Sequence, residues 1–208
     1  MKIGILGAGT WGIALAALLT SNNHEVTVWS ALPDEIDELA NIINSYRNIH
    51  SVSLTGAEPL MEAVFLKNLL PKIKHPVYLE TNGTLYQNLE KIINNVDIIS
   101  MDIKIPSSTK GKDLFNNHEM FIKTALSCNR KPEIFLKLVF DENITQKEIE
   151  KSCELSERYG LILILQPKMN GNLLGVELEF INATFYKFNK LYSNIRLIPQ
   201  THKFLNIK

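Results

Sequence analysis

The feature that most constrains the fold is the nine-residue stretch VSLTGAEPL at residues 52–60. Its apolar start is typical of a short buried strand. Gly56 and Ala57 form a turn of small residues, where a ligand can approach the backbone closely. Pro59 stands in the first turn of a helix, where its missing N–H costs nothing. The stretch therefore predicts a strand that ends in a small-residue turn and passes directly into a helix.

Strand and helix patterns alternate along the rest of the chain. We predict helices at residues 34–45, 60–73, 89–94, 118–128, 146–159 and 177–191, strands at residues 77–80, 98–103, 134–140, 161–165 and 195–198, and a loop at residues 169–175. The strands are nearly continuous apolar runs, which favours burial on both faces of a parallel sheet. The sequence therefore predicts an α/β fold with a mostly parallel sheet and helical crossovers.

A glycine-rich motif, GAGTWG at residues 7–12, lies between short apolar strands predicted at residues 2–6 and 25–29. A helix rich in alanine and leucine follows the motif. Its three glycines have the spacing that makes a tight turn, admits a pyrophosphate and lets helix and strand pack closely. Residues 1–33 are therefore predicted to be a Rossmann-like βαβ dinucleotide-binding segment. Ser30 stands at the end of the second strand, where an acidic ribose contact is expected.

Polar residues follow the predicted strands at their carboxyl ends. These groups are Thr55 with Glu58, Glu80 with Thr81 and Asn82, Asp102 with Lys104, Gln166, and Gln200 with His202. Because the carboxyl ends of parallel strands meet at one edge of a sheet, we expect the groups to converge on one rim. Each group by itself has an ordinary alternative as a turn or a cap. Five groups on one rim favour a site for a small-molecule ligand.

The formal charge is balanced, with 22 basic and 22 acidic side chains, so no bulk field attracts nucleic acid or an anionic membrane. Residues 3–19 are apolar, but their glycines and the lack of a cleavage site argue against a signal peptide, and the run is too short to span a bilayer. Cys128 and Cys153 have neither metal-binding nor redox spacing. We therefore expect a cytoplasmic protein with no metal site, for which a homodimer is an open alternative.

Residues 1–39 resemble the amino terminus of NAD(P)-dependent glycerol-3-phosphate dehydrogenase, both in GAGTWG and in VTVWS at residues 26–30. The resemblance implies NAD(P) as cofactor, and its implied contacts are Gly7, Gly9, Thr10, Trp11, Gly12 and Ser30. It covers about a fifth of the chain. The later segments show no counterpart of the catalytic lysine or of the helical second domain of that oxidoreductase family.

Residues 34–208 resemble the radical S-adenosylmethionine (SAM) superfamily and, within it, 7-carboxy-7-deazaguanine synthase of queuosine biosynthesis. The matching stretches, in the order of the family, are residues 52–60, 78–85, 97–109, 165–167 and 196–205. The resemblance implies a partial (β/α) barrel of radical SAM type. It also implies the activity of a carbon–nitrogen lyase, with SAM and a [4Fe–4S] cluster as cofactors.

The same resemblance implies particular contacts. Gly56, Ala57 and Glu58 correspond to the Gly-Gly-Glu segment that holds the SAM amino group, with Ala57 in place of the second glycine. The other implied contacts are Thr81, Asn82, Asp102 and Lys104 for the ribose and carboxylate of SAM, Gln166 near its adenine, and His202 and Lys203 for the pterin substrate. Each of these residues also has a structural alternative in turn or cap chemistry.

The family binds its cluster through three cysteines in a loop after the first strand, and this chain has two cysteines in all. Because cluster iron needs thiolate ligands, we expect the chain not to build the cluster by itself. The first strand, the cysteine loop and the magnesium-binding threonine of the family are missing, and the dehydrogenase-like segment occupies their place. We predict that residues 2–6 take the position of the first strand and that the βαβ unit docks on the sheet.

Three hypotheses remain open. The first is a radical SAM-type protein that is inactive by itself but retains affinity for SAM or a nucleoside. The second is an NAD(P)-binding protein in which the second part only completes the sheet. The third is a non-catalytic fusion product, natural or artificial. The first hypothesis accounts for most of the motifs, whereas a glycine fingerprint by itself is weak evidence for an enzyme.

Overall fold

The computed structural model describes residues 2–6, 17, 20, 21, 23, 25–29 and 36–201. At the amino terminus, β1 (Lys2–Leu6) and β2 (Glu25–Trp29) pair in parallel, as a βαβ unit requires. Both strands confirm the sequence prediction. They form a two-stranded sheet of their own, so the expectation that β1 replaces a first barrel strand beside Val52 is wrong. Docking of the βαβ unit on the larger sheet stays a prediction.

The remaining described strands form a larger sheet and a small hairpin. They are β3 (Val52–Leu54), β4 (Val77–Thr81), β5 (Ile98–Ile103), β6 (Glu133–Phe140), β7 (Ile162–Pro167), β8 (Met169–Asn170), β9 (Leu173–Leu174) and β10 (Ile195–Leu197). The larger sheet has six strands in the order β10–β7–β6–β5–β4–β3, and each neighbouring pair is parallel. Its two edges are β3 and β10. The predicted α/β class with a mostly parallel sheet is confirmed, and the sheet is open.

Helices connect the strands. They are α1 (Ile36–Ser45), α2 (Ala63–Leu69), α3 (Tyr86–Leu89), α4 (Pro106–Thr109), α5 (Phe115–Ser127), α6 (Gln146–Tyr159) and α7 (Leu178–Leu191), with 3₁₀ turns at Pro59–Glu62, Leu70–Lys72 and Ile93–Asn95. The bounds of α6 agree with the prediction because its ends carry strong signals. A capping box of Thr145 and Glu148 starts it, and Gly160 in the left-handed conformation ends it.

Two local predictions are wrong. The sequence predicts a helix at residues 89–94, but α3 ends at Leu89 and a 3₁₀ turn at Ile93–Asn95 follows, because asparagine favours turns over helix. The predicted loop at residues 169–175 contains the antiparallel pair β8–β9. Its two-residue turn uses Gly171 at φ 61°, a value that suits a tight hairpin.

The six-stranded sheet has two different faces because successive side chains of a strand point to opposite sides. On the covered face, Leu79, Leu136 and Leu163 are fully buried, in one core cluster with helix residues such as Phe121 and Phe188. The alternate residues of the central strands form the open face: Tyr78, Glu80, Ile98, Ser100, Asp102, Phe135, Lys137, Val139, Ile162, Ile164 and Gln166. Most of these are only half-buried among the described residues. Among the described residues, equal burial of the two faces is therefore wrong, and the less covered open face is the one whose side chains are accessible to a ligand.

Within the described part of the chain, no helix has the length and the apolar character needed to cross a membrane.

Candidate functional site

The carboxyl ends of β3 and β4 are tied together by one carboxylate, that of Glu58. Glu58 Oε1 accepts a hydrogen bond from Thr81 Oγ1 at 2.9 Å and from the Leu60 backbone N–H at 3.3 Å, and Oε2 accepts from the Asn82 N–H at 2.8 Å. The residue is 9% exposed and caps the 3₁₀ turn that follows. Its position in the sequence is thus explained by capping and by linking two strands. The same bonds leave little acceptor capacity for the predicted SAM amino group.

The turn before Glu58 exposes backbone. Gly56 has φ 128°, a conformation that side chains other than glycine rarely adopt, and a Cβ at this position would meet no atom within 4 Å. Ala57 is exposed beside it. This geometry agrees with the expected close approach of a ligand to the backbone, whose binding at Gly56 and Ala57 stays a prediction.

The end of β4 is a turn held by its own side chains. Thr81 Oγ1 accepts from the Gly83 N–H at 3.1 Å, and Asn82 Oδ1 accepts from the N–H and the hydroxyl of Thr84 at 3.0 and 2.6 Å. Gly83 has φ 67°, and a Cβ there would lie 2.5 Å from Met101 Sδ, so only glycine fits. Thr81 and Asn82 therefore do perform the turn chemistry that was their alternative assignment. The amide NH₂ of Asn82 makes no hydrogen bond within the described residues.

Four side chains at the carboxyl end of the open face form what we call the charged cluster: Glu80, Asp102, Lys104 and Lys137. Lys104 Nζ lies 3.0 Å from Asp102 Oδ2, and Lys137 Nζ lies 3.2 Å from Asp102 Oδ1 and 3.7 Å from Glu80 Oε2. Thr55 Oγ1 is 3.5 Å from Glu80 Oε2. The structure thus brings the predicted residues of β3, β4 and β5 together on one rim.

Gln166 lies on the same face but farther along the sheet. The register places Gln166 of β7 beside Val139 of β6, two strands away from Asp102. No hydrogen bond joins Gln166 to the charged cluster within the part of the chain that the structure describes. Its position two strands away from Asp102 is compatible with a place near a bound base rather than near the charged end of a ligand. That role of Gln166 stays a prediction.

Sequence reasoning missed Lys137 and an aromatic pair on the open face. Tyr78 and Phe135 have ring centroids 6.1 Å apart and a tilt of 48°. A signal for all three was present: polar or aromatic residues alternate with fully buried leucines in β4 and β6. The prediction of continuous apolar strands overlooks this alternation.

His118 of α5, also missed, is buried behind the turn at the end of β4. Its side chain is 0% exposed, and neither ring nitrogen has a hydrogen-bond partner among the described residues. Burial lowers the pKa of His118 to about 4, an effect that the nearby Asn82 backbone partly opposes. The ring also makes an edge-to-face contact with Phe115. His118 is therefore a neutral core residue, as its position on the apolar side of α5 indicates.

The two cysteines lie away from the rim. Cys128 directly follows α5, in the connection to β6, and Cys153 is buried in α6. Burial raises the pKa of the Cys153 thiol to about 12, so this residue is a poor source of thiolate. Among the described residues, no group of three or more His, Cys, Asp or Glu side chains could hold a metal ion.

The remaining predicted contacts lie outside the described residues, and their roles stay predictions. They are Gly7, Gly9, Thr10, Trp11, Gly12 and Ser30 for a dinucleotide, and His202 and Lys203 for a substrate.

Comparison with known proteins gives matches of two kinds. The first is 7-carboxy-7-deazaguanine synthase. The enzyme of Geobacter sulfurreducens is 34% identical over 189 residues, covering 83% of this chain and 72% of that protein. The enzyme of Archaeoglobus fulgidus is 30% identical over 165 residues, covering 77% of this chain and 68% of that protein.

The second kind concerns the amino terminus. The family model of the NAD-dependent glycerol-3-phosphate dehydrogenase N-terminus matches residues 2–125. The chain belongs to both families. An NAD(P)-dependent glycerol-3-phosphate dehydrogenase of Lactobacillus delbrueckii subsp. bulgaricus is 72% identical over 39 residues, which are 19% of this chain and only 12% of that protein. The composite of synthase and dehydrogenase predicted from the sequence is thereby confirmed.

Proposed function

We propose that the chain is a radical SAM-type protein of the deazaguanine synthase family that binds SAM on its open face but does not cleave it by itself. The observation that carries the proposal is the charged cluster. Its four side chains come from three adjacent strands and meet at the carboxyl edge of a parallel sheet, where ligands of such folds bind. Homology to the synthases covers most of the chain and supports the same site.

The chemistry of SAM matches the residues of this face. Its ribose hydroxyls and ammonium group need acceptors, which Glu80 and Asp102 provide, and its carboxylate needs a cation such as Lys104. Tyr78 and Phe135 offer an apolar aromatic surface on the same face, which is an alternative to the surroundings of Gln166 for the adenine ring. Aromatic contact and charge recognition would then be separated along the strands, as the two ends of SAM require.

The residues present do not fit the [4Fe–4S] cluster of the family. Cluster binding through cysteine needs three thiolates in one place, and the chain has two cysteines on different elements. We therefore derive no reaction step through a cluster, and we propose that this chain does not form 7-carboxy-7-deazaguanine by itself. Binding of SAM is independent of this conclusion, because the charged cluster uses neither cysteine.

A second candidate function is NAD(P) binding by the amino-terminal segment. The parallel pairing of β1 with β2 and the 72% identity over 39 residues support it. Hydride transfer is not part of this candidate, since the chain spans only a small fraction of the matched dehydrogenase. The two candidates use different parts of the chain and can be tested side by side.

The test is isothermal titration of the purified chain with SAM and with NADH, next to anaerobic iron–sulfur reconstitution followed by absorbance. We expect SAM to bind, Asp102→Asn to weaken it about tenfold through loss of one charge-assisted hydrogen bond, and reconstitution to yield no cluster. Asp113→Asn is the matched control, because Asp113 pairs with Lys151 away from the charged cluster.

Each alternative outcome has a distinct meaning. Binding of NADH without SAM would favour the second candidate, and binding of neither would favour a non-catalytic fusion product. Cluster absorbance together with production of 5′-deoxyadenosine would overturn the proposal that the chain does not cleave SAM.

A further inference from the structure

The residue at the centre of the charged cluster, Lys137, is one that the sequence analysis missed. Lys137 contacts both carboxylates, at 3.2 Å from Asp102 Oδ1 and 3.7 Å from Glu80 Oε2. Its side chain is 18% exposed, compared with 31% for Asp102 and 42% for Glu80. Lys137 is thus the least exposed charged side chain of the cluster, and its ammonium group is within ion-pair distance of an acidic side chain on each of two other strands.

The sheet register accounts for this position. Lys137 of β6 is paired with Asp102 of β5 on one side and with Ile164 of β7 on the other. Only the β5 side offers an oppositely charged group, so the ammonium lies toward β5 and β4. Phe135 precedes Lys137 by two residues and lies on the same face. An apolar neighbour of this kind favours burial of the methylene chain of a lysine, while its ammonium group stays at the polar rim.

The cluster is electrically balanced because of Lys137. Lys104 pairs with Asp102 from the other side, at 3.0 Å. Two carboxylates and two ammonium groups give a formal charge of zero. Without Lys137 the same site would carry one excess negative charge, and its two carboxylates would repel each other with no cation between them.

This balance determines which ligand charge the face favours. SAM and its demethylated thioether analogue, S-adenosylhomocysteine, share the adenosine and the amino-acid end, and they differ by the methyl group and the positive charge of the sulfonium. We propose that Lys137 determines whether the open face prefers SAM or S-adenosylhomocysteine. This inference rests on the SAM site proposed above. By neutralising Glu80 and Asp102, Lys137 removes the attraction for the sulfonium, so S-adenosylhomocysteine binds at least as tightly as SAM.

The test compares the two ligands by isothermal titration on the wild-type chain and on Lys137→Met. In the wild type, the Kd of S-adenosylhomocysteine is expected to be equal to or lower than that of SAM. In Lys137→Met, the ratio of the two constants is expected to shift about tenfold in favour of SAM, the size of an uncompensated charge nearby at moderate screening. Lys137→Arg keeps the charge and should keep the wild-type ratio.

Lys123→Met is the matched control, because Lys123 also pairs with a carboxylate, that of Glu119, on the surface of α5. It should leave both constants unchanged. If Lys137→Met binds both ligands with the wild-type ratio, the proposal is wrong. A wild-type chain that strongly prefers SAM would contradict it equally.

A measurement without ligand separates this inference from the proposed function. If the wild type binds neither ligand, the SAM site and the ligand preference fail together, and urea unfolding decides whether Lys137 is a counter-ion. Lys137→Met should lower the urea midpoint by about 0.5 M at pH 7.5, and adding Glu80→Gln should restore much of that loss. An equal loss in the single and the double variant would show that Lys137 acts through packing rather than through charge.

Discussion

The two faces of the six-stranded sheet are built from neighbouring residues of the same strands, yet they serve different purposes. On β7, Leu163 is fully buried on the covered face, whereas Ile164, the next residue, is half-buried on the open face. On β6, the buried Leu136 and Leu138 flank Lys137. The covered face carries the core, and the open face carries the charges and aromatic rings.

The difference shows where the stability of this fold comes from. A parallel sheet is normally covered on both faces, and here the described helices bury one of them completely. Stability is therefore expected to depend strongly on the side chains of the covered face and weakly on those of the open face. Side chains of the open face can then be selected for ligand binding at little cost in stability. The following variants test that division, from the largest expected effect to the smallest.

The adjacent pair Leu163 and Ile164 gives the most direct test. Leu163→Ala removes a fully buried side chain and should lower the free energy of unfolding by about 3 kcal/mol. Ile164→Ala should cost about 1 kcal/mol, because the side chain of Ile164 is only partly buried and leaves a smaller loss of buried surface. Urea denaturation measures both. Equal losses would mean that the open face is covered in solution, by another part of the chain or by a second copy.

His118 tests whether the covered face accepts a polar group. Its pKa of about 4 lies below the value of 6.5 for an unperturbed histidine, so on acidification the unfolded chain gains a proton before the folded chain does. The wild type should therefore lose stability between pH 6.5 and pH 4. In His118→Leu this loss is absent, and the stability advantage of the variant should be about 2 kcal/mol larger at pH 5 than at pH 8.

His50→Leu is the control, because the side chain of His50 is exposed and its replacement removes no buried ring. Thermal or urea unfolding at both pH values measures the effect. An advantage of His118→Leu that does not change with pH would contradict the assignment of a neutral, buried ring.

Glu58 links the carboxyl ends of β3 and β4 at the rim, and its replacement should have the smallest of the three effects. Glu58→Gln keeps the shape and one acceptor oxygen but removes the charge that strengthens its hydrogen bonds to Thr81 and Asn82. We expect a loss of about 1 kcal/mol in urea unfolding. Glu62→Gln, at an exposed position in the same turn, should change stability by less than about 0.5 kcal/mol.

The fold could be predicted from the sequence wherever local signals were strong. Strand β5 has its predicted bounds, and so does α6, whose capping box and terminal Gly160 mark both ends. The helix predicted at residues 89–94 is wrong because the three buried apolar residues of this segment, Leu89, Ile92 and Ile93, fit a turn as well as a helix, and Asn94 favours the turn. Local pattern does not decide between the two, and tertiary packing does.

The candidate site could be predicted only in part, for a reason of geometry. Glu58, Thr81 and Asp102 were found because they follow strands, and the carboxyl ends of parallel strands converge. Lys137 lies inside a strand, and its partners depend on the register between β5 and β6, which sequence does not provide. His118 was missed because it occupies an apolar position of α5, where its burial is a consequence of packing.

The order of the strands in the six-stranded sheet has a consequence for how the chain matures. The strands of this sheet follow one another across it in the order in which they occur along the chain. The widest sequence separation between paired residues is that between β5 and β6, for example between Ile98 and Glu133. Because synthesis starts at the amino end, each strand after β3 is synthesised after the neighbouring strand with which it pairs. The sheet can therefore grow at the pace of translation, without waiting for a partner from the far end of the polypeptide.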